Sequence, residues 1–349
     1  MRRTVLLLLI LFTCGMAAAI YLAGRFGRPF KGYDGPEQFV EIPPGSPVSV
    51  ISQRLVDAGV VSDRLAFRYA LWVTGESRRL QAGEYRFDRP MPPTEVVRKL
   101  ARGDVFLRPI TFPEGLTIRE MAALFEKAGL GDAAEFTRAA GRKDLVASLD
   151  SQAPDLEGYL FPDTYTLPRR ATADRLIELM VAGFEKAFDE TLRADTAARG
   201  LSVREAVTLA SLVEEETAKP EERPLVAAVY ANRLKMGMGL QCDPTVIYAL
   251  QRAGRFTGNI RREDLQIDSP YNTYRYAGLP PGPIASPGRA SLEAAVRPAD
   301  VPYIYFVSRN DGSHEFAATL QEHNANVEKW QRQYFRERRP QGSSSSPRQ

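Results

Sequence analysis

Histidine and cysteine are nearly missing: the 349 residues contain two of each. His314 and His323 form no HxxxH pair and Cys14 and Cys242 no CxxC, which excludes the usual spacings of structural and catalytic zinc sites. Cys14 lies inside an apolar run, so Cys242 has no partner and no disulfide is expected, although the compartment argued below would permit one. Net charge is small as well. At +3, from 46 basic and 43 acidic residues, it removes the electrostatic footprint of a nucleic-acid binder. The one strongly basic stretch, 332–339, runs into Gly342 and Ser343 to Ser346 and reads as a solvated, disordered tail. No metal site and no cofactor are expected.

Apolar residues are plentiful, at 44% against 26% charged, a balance ordinary for a packed core in one large domain or two modest ones. The most apolar stretch is N-terminal. Val5 to Ala23 is 19 residues without a charge, behind Met1-Arg2-Arg3, enough to cross a bilayer's hydrocarbon core. The competing reading is a cleaved signal peptide. The length of the run, and Arg25, Arg28 and Lys31 directly after it, favour an uncleaved anchor. Basic residues flank both ends, so the positive-inside rule leaves the orientation undecided.

A Gly-, Pro- and charge-rich linker follows, and then an internal repeat. Ile42-Pro43-Pro44-Gly45 and Phe112-Pro113-Glu114-Gly115 stand 70 residues apart, and at the same offset Val48, Ile51 and Leu55 align with Ile118, Met121 and Phe125. Ala58-Gly59-Val60 then falls on Ala128-Gly129-Leu130. Each copy reads as a turn, a short helix with one apolar face, and a glycine stop. Leu80 to Phe87 alternates like a strand. The resulting strand-helix-helix-strand module resembles LysM glycan-binding modules, and a duplicated packing unit explains the pattern equally well. The aromatic stretch Glu157 to Tyr165 is a sugar-stacking surface or, the favoured reading, a loop pinned to the core. Ala173 to Arg199 reads as polar helix.

Ser202-Val203-Arg204-Glu205 is a capping box that starts a helix, and Pro220 should end it. With Ala206 at the origin and about 100° per residue, Leu209, Leu212 and Val213 fall at about 300°, 240° and 340°. On the same wheel Glu216 falls at about 280°, between the two leucines, while Glu215 at about 180° and Glu214 at about 80° lie away from or at the margin of that arc. Of three consecutive glutamates, Glu216 alone is thrust into the apolar face. There its ionised form is disfavoured, and a glutamate that keeps its proton near neutral pH can give it to a glycosidic oxygen. The competing reading pairs Glu216 with Arg223 or Arg233, or makes it cap a neighbouring helix.

A second helix is expected over 224–236, and a third beginning with Asp243 as N-cap and Pro244 at the first helical position. Asp243 therefore reads as a cap before it reads as a second catalytic carboxylate. Ser269 to Ile284 is a long loop whose Asn, Thr and Tyr side chains suit sugar hydroxyls and acetamido groups, unless its prolines only stiffen the backbone. Tyr303 to Val307 reads as a buried strand before a turn at Asn310-Asp311-Gly312, and both histidines read as structural hydrogen-bonders.

Taken together, Ala210-Ser211-Leu212-Val213-Glu214-Glu215-Glu216-Thr217, Glu222-Arg223, Asn232-Arg233-Leu234 and Leu240-Gln241 with Asp243 to Tyr248 resemble the endolytic murein transglycosylase (YceG-like) family. Tyr271-Asn272-Thr273-Tyr274, Gly278 to Gly282, Ile284-Ala285, Pro287-Gly288 and His323-Asn324 continue the likeness in order. Cys242 departs from it, standing where a Thr would be familiar. The resemblance implies an α+β chain: a transmembrane anchor at 1–24, a linker at 25–41, a LysM-like α/β subdomain at 42–108, a mixed α+β YceG-like catalytic domain at 109–335 and a disordered tail at 336–349.

The family's catalytic glutamate precedes the Thr, which lands on Glu216. Glu214, Thr217, Asp243, Thr245, Tyr248, Asn272 and Tyr274 become the expected substrate contacts. The implied reaction is non-hydrolytic cleavage of the MurNAc–GlcNAc bond within strands, with Glu216 as acid and then base and a 1,6-anhydro ring as product. The catalytic domain would lie outside the cytoplasm on a single-pass cell-membrane anchor, with penicillin-binding proteins as plausible partners. Two alternatives stay open: a glycoside hydrolase using Glu216 with Asp243 or Asp163, and an anchored glycan-binding scaffold without activity.

Overall fold

A computed structural model describes residues 2–168 and 171–337. The chain divides into two compact units, one of residues 1–109 with 166–170, the other of 110–165 with 171–349. The tail expected over 336–349 lies, beyond Glu337, outside the described residues.

The first unit opens with helix α1 (Arg2–Phe26). The side chains of residues 1–8 lie outside the described set, so most of the expected anchor's first half cannot enter its description. Among the described residues no helix is long and apolar enough to cross a membrane. Strand β1 (Gln38–Ile42), helices α2 (Val48–Asp57) and α3 (Arg64–Thr74), strand β2 (Gly83–Phe87) and helix α4 (Pro93–Arg102) follow. The strands pair antiparallel, Gln38 opposite Phe87 and Ile42 opposite Gly83. Side chains alternate across a strand, so Val40, Ile42, Tyr85 and Phe87 point to one face and meet Leu55, Phe67, Val97 and Leu100 in the core. The expected linker at 25–41 is thus partly structured. Phe30 bridges Met91, and the alternation of Phe39-Val40-Glu41-Ile42 makes a strand despite the glycines and prolines around it.

Strands β3 (Leu107–Thr111) and β4 (Thr164–Pro168) form a two-stranded sheet. Between them lie α5 (Ile118–Lys127) and α6 (Ala133–Ala140). The repeat is physical: Gly59 after α2 and Gly129 after α5 both take left-handed backbone, φ 67° and 66°. Val60 N–H and Leu130 N–H each return to the helix, to Leu55 O and Phe125 O. Gly59 is constrained twice, because a Cβ there would also meet Gly32 backbone at 2.6 Å.

The second unit continues with α7 (Ala173–Ala187) and α8 (Glu190–Ala198), where the sequence suggested one helix. The break falls at Phe188-Asp189, where Asp189 caps α8 by accepting Leu192 N–H at 3.1 Å. The central helix is α9 (Val203–Glu216), with every residue from Ala206 to Val213 buried. It packs against α8, α10 (Arg223–Lys235), α11 (Asp243–Arg252) and α12 (Arg289–Val296). Ser202 and Glu205 form the expected capping box, and α9 stops at Glu216, four residues short of Pro220, because Thr217 turns extended. Arg204 grips Asp150 through two 2.8 Å hydrogen bonds, and Tyr159 donates to the same carboxylate at 2.7 Å. That last contact, with Leu156, Tyr159 and Leu160 all buried, pins the aromatic loop to the core.

Strands β5 (Tyr305–Ser308) and β6 (His314–Ala317) form an antiparallel hairpin, followed by α13 (Leu320–Val327), and α14 (Tyr334–Glu337) ends the described chain. The hairpin turns through Asn310 at φ 64°, and β5 is half-buried rather than buried as its apolar composition suggested.

Because the position of Glu216 depends on where α9 begins and ends, loss of its N-cap should be measurable. Ser202→Ala is expected to lower stability by about 1 kcal/mol in urea titration. An unchanged midpoint would mean that packing alone sets the helix start.

Candidate active site

Glu216 occupies the last turn of α9, and its carboxyl is held by neutral donors. Tyr230 O–H on α10 donates to Oε2 at 2.9 Å, and the Cys242 thiol just before α11 approaches the same oxygen at 3.7 Å. The arginines that could have neutralised it are engaged elsewhere. Arg223 binds Glu214 at 2.9 Å and Glu114 at 3.2 Å, and Arg233 donates to the carbonyls of Ile304 and Leu240, both at 2.7 Å. Burial pushes the Glu216 carboxyl above its ordinary range and the negative charge of Asp243 adds to this, while the Tyr230 and Cys242 hydrogen bonds and the charge of His314 oppose it. The balance favours a protonated acid.

The two neighbouring glutamates have different surroundings. Glu214, set by the helical wheel at the margin of the apolar arc, is a buried clamp with 5% of its side chain exposed. Besides Arg223 it accepts Gly288 N–H at 2.8 Å, tying α9 to α10 and to the start of α12. Apolar periodicity could not see this, because a paired charge is buried as readily as a leucine. Glu215 faces outward over a cavity of about 150 Å³ shared with Glu114, Glu120, Ile247 and Tyr248. Desolvation, then the charges of Glu120, Glu214 and Glu216, push it up to about 7. A raised pKa alone therefore does not single out Glu216; the pair of directed donors on its Oε2 does.

Of the expected substrate contacts, Asp243 and Tyr274 are exposed and joined, Tyr274 O–H donating to Asp243 at 2.6 Å. The N-cap of α11 is Cys242, so Asp243 sits one position inside the helix with its carboxylate free to take the tyrosine. Three other expected contacts turn inward. Thr217 is 3% exposed, accepts Lys219 N–H at 3.1 Å and donates to Glu222 at 3.3 Å. Thr245 is wholly buried, bonded to Cys242 O at 2.6 Å and to Thr273 Oγ1 at 2.9 Å. Asn272, also wholly buried, donates to Leu265 O and Ile267 O at 3.0 and 2.8 Å and accepts Tyr274 N–H at 3.0 Å. Their polar atoms are used in shaping the loops. Tyr248 is buried too, donating to Glu157 at 3.2 Å.

Other parts of the arrangement carried little sequence signal. His314 Nδ1 meets Glu222 Oε2 at 2.7 Å and the main-chain N–H of His314 donates to Glu222 Oε1 at 2.9 Å, fixing β6 beside the end of α9. His323 stacks on Tyr305 at 4.9 Å. Glu157 accepts Ile118 N–H at the start of α5 at 2.9 Å and lines a cavity of about 310 Å³ with Thr137, Asp155, Tyr248 and Arg252. Asp163 accepts Thr164 N–H at 2.6 Å at the start of β4. Among the described residues no cluster of His, Cys, Asp and Glu could hold a metal ion.

The chain matches the YceG-like family over residues 40–329. It is 35% identical over 316 residues to the endolytic murein transglycosylase of Bacillus subtilis strain 168, covering 83% of this chain and 84% of that protein. To the endolytic murein transglycosylase of Streptococcus pneumoniae strain D39 it is 33% identical over 323 residues; these are 82% of this chain but 57% of the streptococcal protein, which is thus much longer. A crystal structure of a yceG-like protein from Listeria monocytogenes matches with a TM-score of 0.57 at 32% identity, over 83% of this chain and 98% of that one.

Glu157 yields a pH test. Burial raises its carboxyl from the ordinary 4.5 to about 8, against the lowering effect of its hydrogen bonds. The unfolded chain therefore ionises first, and this residue's contribution to stability falls as pH rises from 4.5 to about 8, then levels. Glu157→Gln should gain melting temperature on the wild type progressively across that window. An offset that does not change with pH would contradict the burial assigned to this carboxyl.

Proposed function

The chain belongs to the YceG-like family, and from that premise we propose that it is an endolytic peptidoglycan lytic transglycosylase with Glu216 as its single acid/base. The observation that carries the reading is a largely desolvated glutamate at the end of α9, hydrogen-bonded by two neutral donors and by no cation among the described residues. The names of its bacillary and streptococcal relatives supply the substrate class.

The steps balance without water, metal or a covalent enzyme intermediate. Protonated Glu216 gives its proton to the glycosidic oxygen as the bond from MurNAc C1 breaks, releasing the GlcNAc 4-hydroxyl. The muramoyl C6 oxygen then bonds to C1, and the Glu216 carboxylate takes the proton from that hydroxyl, closing the 1,6-anhydro ring and restoring the acid. An acid that regenerates itself in each turnover works best with a pKa near the working pH, and burial moves Glu216 upward from the ordinary carboxylate range.

Asp243 favours a second reading, because its charge acts on Glu216 and a second carboxylate is what a hydrolase would use. Its bond to Tyr274 and its exposure suit a part in binding sugar instead. Further parts of the proposal rest on sequence. The apolar run of residues 5–23 serves as a single-pass membrane anchor with the rest outside the cytoplasm, and the βααβ order of the first unit suits a LysM-like glycan-binding role. Penicillin-binding proteins are its proposed protein partners.

Mass spectrometry of digested peptidoglycan decides the reaction. Wild type should leave 1,6-anhydro ends, and Glu216→Gln should cut at least about 100-fold more slowly. Reducing ends would establish a hydrolase, undiminished cutting by Glu216→Gln would remove that residue from the chemistry, and binding without cutting by the wild type would leave a scaffold. Separately, the full chain should stay in the membrane pellet after alkaline extraction and the chain lacking residues 1–24 should not; release of both would refute the anchor.

A further inference from the structure

Both hydrogen bonds that hold the Glu216 carboxyl fall on one oxygen. Tyr230 O–H and the Cys242 thiol converge on Oε2, at 2.9 and 3.7 Å, from different elements. Both donors are sealed from solvent, Tyr230 at 0% and Cys242 at 1% exposure, so neither can be reached by a glycan. Oε1 accepts no hydrogen bond from the described residues and is not among the buried polar atoms left without a partner, so on this part-buried residue it keeps some access to solvent.

The donors are themselves fixed. The Tyr230 ring stands edge-on to Phe306 of β5 at 6.1 Å, and Cys242 N–H donates to Thr273 Oγ1 at 3.0 Å, which ties the start of α11 to the 269–284 loop.

We propose that Tyr230 and Cys242 are positioning residues that clamp Oε2 of Glu216, so that Oε1 alone carries the proton to and from the sugar. The inference rests on Glu216 being the acid/base. An oxygen that already receives two donors is the less favourable place for the acidic hydrogen, so in the protonated state that hydrogen prefers Oε1. The clamp thus selects the working oxygen before substrate arrives, and orientation fixed in advance is a large part of what an acid/base catalyst needs. Neither residue touches the reacting atoms.

A second consequence concerns pH. Other groups also face Glu216: Asp243 at the start of α11, His314 on β6, Tyr274 on the loop, Glu215 on its own helix and Arg233 on α10. All of these stay in place when the clamp is cut. Both clamp bonds favour the ionised form, so removing either raises the Glu216 pKa further. Because the free enzyme must be protonated to begin, the alkaline limb of kcat/KM then moves to higher pH, while kcat falls because the carboxyl is free to rotate.

The experiment uses the full-length protein, with Tyr230→Phe, Cys242→Ala, Cys242→Ser and Glu216→Gln assayed for release of anhydro-ended glycan across pH. Tyr230→Phe keeps the ring against Phe306 and should move the alkaline limb up by about one pH unit, lower kcat about tenfold and leave KM nearly unchanged. Cys242→Ala should move the limb in the same direction by less, and Cys242→Ser, which restores a donor, should return it towards the wild-type position. An unmoved limb in both Tyr230→Phe and Cys242→Ala, with Glu216→Gln still inactive, would overturn the clamp while sparing the catalytic reading. Full activity in Glu216→Gln would instead overturn the reading on which the clamp rests.

Discussion

A carboxyl group drawn out of bulk water and hydrogen-bonded by no cation is the constraint around which this site is organised. An ionised carboxylate in such a place is costly, and the least costly response is to keep the proton. Desolvation outweighs the hydrogen bonds and the His314 charge that favour the ionised form. The donors to Glu216 are a phenol and a thiol, and burial pushes both well above their ordinary ranges, so neither ionises beside it. An arginine in place of either would hold the glutamate ionised and remove its capacity as an acid. Arg223 and Arg233 are near enough in sequence and space to have done so, and each is bound to other acceptors.

Three consecutive glutamates serve three physical purposes because a helix turns them to three environments. Glu214 meets a guanidinium and a backbone amide, and it joins α9 to its neighbours as a buried ion pair. Breaking such a pair by removing one partner costs about 3–5 kcal/mol, since the survivor is left buried and unmatched. Glu215 faces a cavity already crowded with carboxylates, so its own charge is resisted by like charges as well as by desolvation. Glu216 is held by two neutral donors on one oxygen. The order of these residues matters more than their number.

How much of this could be read from the chain varies with the kind of signal. The α9 capping box, the inward turn of Glu216 and the 70-residue repeat were legible, because local propensity and apolar period determine them. The helix end was misplaced, since Thr217 leaves helical backbone before Pro220 can force it to. The internal bonding of the site's walls was not legible: Thr217, Thr245 and Asn272 have side chains suited to sugar, and those side chains bind main-chain and neighbouring atoms. Whether a polar side chain faces a ligand or its own loop is set by tertiary contacts, on which spacing is silent. Tyr230 was hidden likewise, because its aromatic ring fits the apolar pattern of α10 and only its hydroxyl, 14 residues along the chain from Glu216, reaches the acid.

The most direct test is the titration of Glu216 itself. Carbon-13 NMR of protein labelled at the glutamate carboxyl, with Glu216→Gln used to assign the resonance, reads its protonation against pH. The account predicts a midpoint displaced above the ordinary 4.5, with the carboxyl still protonated where free glutamates have ionised. A midpoint at or below 4.5 would show that the buried group is held as a carboxylate, and would contradict its role as the acid.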